Sequence, residues 1–208
     1  MPITNSRKAH RARERERRAL AIVTAGLAML LLGSGALWLL PAPLVGASSI
    51  GGPFELTGGD GKPVTDRDLR GKYVLIYFGY TFCPDVCPIT LQRVADALKA
   101  LGAKSAELQP LFITVDPQRD TPQVVGQYAA AFSPRLIGLT GTSDQISRVE
   151  REFHVYTAIR RSGVGRDDYS VDHSSVLYLM GPDGRFLAPI PADEPALQMA
   201  GDIARHMT

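Results

Sequence analysis

Val74-Leu-Ile-Tyr-Phe-Gly-Tyr80-Thr-Phe-Cys83-Pro-Asp-Val-Cys87-Pro88 decides how this chain is built. The run from Tyr73 to Tyr80 is apolar and rich in β-branched and aromatic residues, which predicts a buried strand. Pro88 then opens a segment to Leu101 in which Leu91, Val94, Ala95 and Leu98 recur at helical spacing. Cys83 and Cys87, the only 2 cysteines of the chain, therefore sit where a strand hands over to a helix N-terminus. Unpaired backbone N–H groups and the helix dipole favour thiolate over thiol at such a place. At i and i+4 the two sulfurs reach one face if the first helical turn begins between them. Two soft thiolates on one face form a disulfide or clamp a soft metal ion.

The chain of 208 residues has room for one sizeable domain and some extras, with a hydrophobic core that needs no disulfide staples. Its net charge of +2 is unevenly spread. Residues 1–18 set Arg7, Lys8, Arg11, Arg13, Arg15, Arg17 and Arg18 against Glu14 and Glu16, which leaves that tail at +5 and the rest of the chain at −3. A basic tail alone would suit nucleic acid. Directly after it comes a 22-residue uncharged stretch, Ala19 to Leu40, long enough as a helix to span the roughly 30 Å hydrocarbon layer. Trp38 stands near its outer end, where interfacial aromatics are common. The tail then reads as a cytoplasmic flank, with everything after Leu40 outside and no nucleic-acid role.

Val45-Gly-Ala47 resembles a signal-peptide cleavage pattern, but the apolar stretch exceeds the usual h-region, so a retained anchor is expected. The Arg-rich start also suits a mitochondrial address, against which Glu14 and Glu16 weigh. No cysteine near the end of the stretch suggests a lipoprotein. The expected organisation is a cytoplasmic tail over 1–18, a transmembrane anchor over 19–40, a Pro/Gly/Ser linker over 41–52 and one globular domain over 53–208.

Within that domain the pattern predicts a hairpin about Gly58-Gly-Asp-Gly61, a loop over Asp66–Gly71, and a second apolar strand from Pro110 to Val115. Thr121 and Pro122 read as the cap and first position of a helix to Phe132. A short strand at Leu136–Gly141 and a helix over Ser143–Phe153 come next. His154 to Ile159 alternates like a strand, and a polar loop runs from Arg160 to Tyr169. Val171–Met180 and Arg185–Ile190 read as the arms of a hairpin, and a helix closes the chain over Glu194–Met207. Strands alternating with helices, then a hairpin and helix, make an α/β sandwich around a mixed sheet.

Tyr80-Thr-Phe-Cys83-Pro-Asp-Val-Cys87-Pro88, Val115-Asp-Pro-Gln-Arg-Asp-Thr-Pro122 and Val171-Asp-His173-Ser, in that order, resemble the SCO/SenC family over about residues 50–208. The resemblance implies a membrane-anchored, thioredoxin-like copper protein that helps assemble the copper centre of cytochrome c oxidase subunit II. It also implies Cys83, Cys87 and His173 as copper ligands, with His173 next to the cysteine motif at a place where thioredoxin-like folds usually carry a cis-proline. A second copper protein upstream, as donor, is a further implied partner. Family members are argued to act as thiol–disulfide reductases as well, with Cys83 and Cys87 as the redox pair.

The residues support a choice of the same kind. A structural disulfide across three intervening residues would close a very short loop and gain little stability. Two thiolates and an imidazole suit Cu(I) and serve for Cu(II), whereas a closed structural zinc site wants four ligands. Asp116 and Asp172 are candidates to orient His173, with capping and solvation as the plain alternative. Arg160, Arg161 and Arg166 are candidates to meet an acidic partner, or simply a solvated loop; Met180 and Met199 read as core. A peroxiredoxin-like peroxidase is disfavoured, because Tyr80-Thr-Phe precedes Cys83 in place of a threonine-proline. The expected residence is a bacterial inner membrane with the domain in the periplasm, or else a mitochondrial inner membrane with the domain facing the intermembrane space.

The charge asymmetry and the 22-residue stretch make topology testable. Reporters fused after residue 50 should work only if they are of a kind active outside the cytoplasm. Recovery of a soluble form whose N-terminus is Ser48 would show cleavage instead of anchoring.

Overall fold

The computed structural model describes residues 50–165 and 168–207. The expected tail, the 19–40 anchor, most of the linker and Arg166 lie outside the described residues. Among the described residues no helix is long and apolar enough to cross a membrane. The strands are β1 (Glu55–Gly58), β2 (Pro63–Thr65), β3 (Tyr73–Gly79), β4 (Leu108–Thr114), β5 (Ile137–Thr140), β6 (Thr157–Arg161), β7 (Tyr169–His173), β8 (Val176–Met180) and β9 (Phe186–Pro191). The helices are α1 (Val86–Ala100), α2 (Pro122–Phe132), α3 (Ser143–Glu152) and α4 (Ala196–His206).

Every residue of β3 is buried, as an unbroken apolar run requires of a strand covered on both faces. It lies parallel to β4, from Tyr73 opposite Leu108 to Gly79 opposite Thr114, and antiparallel to β8. The sheet runs β2-β1-β5-β4-β3-β8-β9, mixed as expected. Alternate side chains sort its two sides. Leu75, Tyr77 and Phe112 meet Leu91 and Leu98 of α1, Val125 of α2 and Ile203 of α4. Ile76, Phe78 and Ile113 meet Ile146 and Val149 of α3 on the opposite side. Met180 and Met199 are buried in these cores. Gly138 lets α2 close on β5, since a Cβ there would lie 2.2 Å from the Val125 carbonyl oxygen.

Four expectations need correction. Asp66–Leu69 is a 3-10 turn, because Thr65 and Asp68 cap it reciprocally: Asp68 accepts from the Thr65 N–H at 2.8 Å, and the Asp68 N–H donates to Thr65 Oγ1 at 3.4 Å. Helix α1 begins at Val86 and not at Pro88, which is harmless because the missing proline N–H falls among the first four, unpaired ones. His154, with φ of 55°, turns the chain after α3, so that β6 starts at Thr157 and takes in Arg160 and Arg161.

The fourth concerns Val171–Met180, which is two strands in two different sheets. Up to His173 it pairs with β6 in a separate two-stranded sheet; from Val176 it pairs with β3 and β9. The join is pinned where Ser174 N–H donates to the Tyr156 carbonyl at 3.1 Å and Ser174 Oγ accepts from the Tyr156 N–H at 3.0 Å.

A cavity of about 320 Å³ lies between the β6–β7 hairpin and α3, and Glu150 and Thr157 line it. Burial pushes the Glu150 carboxyl up to about 7, partly opposed by its hydrogen bond to Thr157. The fold therefore favours the protonated acid, a contribution fully present below the ordinary value of 4.5 and lost as pH rises through about 7. Glu150→Gln should raise the thermal midpoint at pH 8 and leave it unchanged at pH 4, read by calorimetry across that range. Equal shifts at both pH values would show that the carboxyl is not held protonated.

Candidate metal centre

Strand β3 ends at Gly79, and the chain reaches Cys83 through a tight turn in which the Cys83 N–H donates to the Tyr80 carbonyl at 3.2 Å. Asp85 occupies the N-cap of α1, yet its side chain makes no capping bond. The Cys83 sulfur does that instead, accepting the Cys87 N–H at 3.4 Å. Cys87 is wholly buried and Cys83 half-buried, and neither is in a disulfide. Gly79 makes the buried position available: a Cβ there would stand 2.8 Å from the Cys87 sulfur and 3.0 Å from Phe112. From beneath, the Tyr77 hydroxyl donates to Cys87 Sγ at 3.7 Å.

The loop ahead of Cys83 is anchored by Asp120, which is fully buried. Its carboxylate accepts from the Thr81 N–H at 3.0 Å, from Thr81 Oγ1 at 2.5 Å and from Thr114 Oγ1 at 2.5 Å. Thr140 Oγ1 donates to the Asp120 carbonyl at 2.8 Å, so the ends of β4 and β5 and the turn after β3 converge on one residue. Burial raises the Asp120 pKa, against the opposing pull of these hydrogen bonds.

His173 arrives from the far end of the chain. Along β7 the inward positions are Tyr169, Val171 and His173, while Ser170 and Asp172 face out. The imidazole lies edge-on to Tyr77 and Tyr80, each at a centroid distance of 6.0 Å. Its Nε2 stands 3.4 Å from Cys87 Sγ, and its Nδ1 3.1 Å from the Ser174 carbonyl oxygen. A carbonyl can only accept, so Nδ1 carries the proton and the Nε2 lone pair faces the sulfurs. The orienting group is thus the Ser174 carbonyl. Neither aspartate expected there does this: Asp172 faces outward in an ion pair with Arg160 at 2.6 Å, and Asp116 binds Arg119 and the Tyr169 hydroxyl.

The donor atoms of Cys83, Cys87 and His173 all lie within 4.8 Å of one another. Donors about 2.0–2.3 Å from a shared trigonal ion stand roughly 3.5–4 Å apart, so small side-chain rotations suffice to close on one. Two sulfurs and a neutral imidazole form a soft set that suits copper. Electrostatics separate the two sulfurs. Hydrogen bonding from the Cys87 thiol and from the Cys87 and Asp85 amides draws the Cys83 pKa far below the ordinary thiol value, against burial. The same pairing with Cys83, together with burial, pushes Cys87 up. The pair thus holds one thiolate and one thiol.

Sequence reading did not find Tyr77, Gly79, Thr81, Asp120 or the Ser174 carbonyl. Thr81, Asp120 and Ser174 belong to segments that stood out as motifs, and Tyr77 and Gly79 to the buried-strand stretch, but nothing within those segments singles them out.

A sequence model of the SCO1/SenC family matches residues 43–208. Mouse "Protein SCO1 homolog, mitochondrial" is 43% identical over 165 residues, covering 78% of this chain and 58% of the relative. The structure of Bradyrhizobium japonicum ScoI with copper bound is similar with a TM-score of 0.69 at 42% identity, over 76% of this chain and 99% of that one. BsSco, described as a member of the Sco family of cytochrome c oxidase assembly proteins with a disulfide switch, matches with a TM-score of 0.59 at 29% identity, over 77% and 94%. This chain spans about half the length of the curated relatives it matches first, 58%, 54% and 48% of them. The thioredoxin-like α/β expectation agrees with these structures.

The two sulfurs should differ in reactivity. In the reduced, metal-free chain iodoacetamide should alkylate Cys83 and spare Cys87. The rate should stay nearly flat between pH 6 and 8, because Cys83 is already ionised; an ordinary thiol would gain about tenfold per unit there. Peptide mapping that finds both sites modified alike, at a rate climbing steeply with pH, would refute the division of roles.

Proposed function

This chain belongs to the SCO1/SenC family, and we propose that it is a membrane-anchored copper chaperone for cytochrome c oxidase. It takes one copper ion as cargo on Cys83, Cys87 and His173 and delivers it to the copper centre of oxidase subunit II, after loading from another copper donor protein. The observation that carries this reading is the meeting of two sulfurs and an imidazole within 4.8 Å at a half-exposed rim. Copper-bound ScoI supports the choice of metal, and the family description of BsSco supports the assembly role. Residues 19–40 serve as the anchor, and 53–208 as the copper-binding domain outside the cytoplasm. That places the domain in a bacterial periplasm or, as the mitochondrial name of the mouse relative favours, in an intermembrane space.

A second reading is favoured by the unequal sulfurs. A half-exposed, ionised Cys83 beside a buried Cys87 thiol is the arrangement of a thiol–disulfide reductase. Cys83 would attack a disulfide of the oxidase subunit, and Cys87 would then displace the reduced target. Two electrons pass to the target and a Cys83–Cys87 disulfide remains. His173 has no required part in that exchange, so it separates the two readings.

The full-length chain, purified in detergent, should bind about one copper per chain, and Cys83→Ser or Cys87→Ser should each abolish tight binding. The disulfide form should bind none. His173→Ala should leave the Cys83–Cys87 couple able to cycle, retain part of its Cu(I) binding and lose or spectrally alter Cu(II), which favours a nitrogen donor more strongly. Metal analysis, Cu(II) spectra and oxidase activity in cells provide the readouts. Wild-type binding of both copper states by His173→Ala, with full oxidase assembly, would put the reductase reading first.

A further inference from the structure

Among the described residues the hairpin that carries His173 has no backbone ladder to the main sheet, and β6 pairs with β7 alone. Beneath it lies the cavity bounded by Val115, Ser147, Glu150, Thr157, Tyr169 and Val171. Where His173 stands relative to the cysteines therefore depends on side chains that bridge hairpin and body. One residue dominates that bridge. Arg119, whose side chain is only 8% exposed, reaches three pieces of the site at once. Its Nε donates to Asp116 Oδ2 at 2.5 Å, and Nη1 donates to the Tyr169 carbonyl at 3.0 Å. Its guanidinium carbon lies 3.7 Å from the centroid of the Tyr169 ring on the hairpin and 4.7 Å from that of Phe82, the neighbour of Cys83. Tyr80, which lies edge-on to His173, completes the cage at 5.7 Å.

Such distances are those at which a cation is held by an aromatic face. The planar, fork-shaped guanidinium can stack on rings and bond in its own plane at the same time, which an ammonium cannot. Asp116 closes the arrangement by accepting the Tyr169 hydroxyl at 2.7 Å while it binds Arg119. The cysteine loop (Tyr80, Phe82), the turn after β4 (Asp116) and the first residue of β7 (Tyr169) are thus joined through one buried cation. His173 stands four residues along the same strand.

We propose that Arg119 is a positioning residue for the third donor: it clamps the β6–β7 hairpin to the cysteine loop and so sets how His173 meets the two sulfurs. The inference rests on the copper-site reading above. With the clamp intact, two thiolates and an imidazole act together. With it released, the two thiolates remain on α1 while the imidazole drifts with its hairpin. Release therefore costs Cu(II), which needs the nitrogen donor, more than it costs Cu(I).

The test uses the full-length chain in detergent, with Arg119→Lys, which keeps the charge and loses the planar stack, and Tyr169→Leu, which removes the ring from the other side. Hydrogen exchange of the metal-free protein should speed up at β6–β7 amides by about tenfold or more in both variants, with β3 and β4 unchanged. Cu(II) affinity should fall about tenfold or more, with a spectrum moving towards that of His173→Ala, while Cu(I) stoichiometry holds. Tyr169→Leu decides the matter if Arg119→Lys fails to fold, as seen by circular dichroism. Hairpin amides as protected as in wild type, or Cu(I) and Cu(II) lost to the same degree, would overturn the clamp while leaving the copper reading intact. If His173→Ala itself binds both copper states like wild type, the copper reading fails and the clamp's role in it falls too.

Discussion

The organising contact of this molecule is the hydrogen bond from the Cys87 amide to the Cys83 sulfur at the start of α1. A helix N-terminus leaves its first N–H groups unpaired, and here a sulfur takes one of them in place of the Asp85 carboxylate. Capping and ionisation are then one event, since a thiolate accepts far better than a thiol. The fold is arranged to let this happen. Gly79 clears the space for Cys87, Tyr77 supports it from below, and Asp120 ties the turn at Thr81 to the ends of β4 and β5.

The two sulfurs and the imidazole are held by different means. The cysteines sit on the joint between the central strand and a helix packed along its face, with Cys87 inside the core cluster. His173 sits on a hairpin outside the main sheet, fixed by Val171 in the core, by Ser174 against Tyr156, and by the aromatic cage around Arg119. A site for cargo must release as well as bind. A firm sulfur pair with a separately mounted nitrogen donor is suited to that, because one bond can be loosened without unfolding the helix that carries the other two.

The Cys83–Cys87 asymmetry reconciles the two activities considered for the site. The thiolate–thiol pair is a half-formed soft ligand set and equally a poised reductant. On either reading the encounter is with Cys83, because Cys87 is closed to solvent. Phe82, Val86 and Ile89, neighbours of the two cysteines in sequence, are exposed, and so is Asp85 between them.

The cysteine half of the site was legible in the sequence because it is local. An unbroken apolar run, a turn with two cysteines four apart and a helical period lie within thirty residues, and short-range periodicity is what a sequence displays. The Thr121–Pro122 helix start, the Asp-Gly hairpin and the core places of Met180 and Met199 were legible for the same reason. His173 was marked by a resemblance, and nothing in the sequence showed that the carbonyl of its neighbour Ser174 would orient it. The apolar pattern from Val171 to Met180 does not betray that the chain changes sheets at Ser174, since both halves alternate acceptably as strand. Only tertiary structure decided that break. It turned Asp172 outward to Arg160, left the Ser174 carbonyl to hold the imidazole, and brought Nε2 to Cys87 across 86 residues of chain. A strand's own residues say which face is apolar; which sheet it joins depends on the edges that β6 and the distant β3 offer and on the distant Arg119 that stacks on Tyr169.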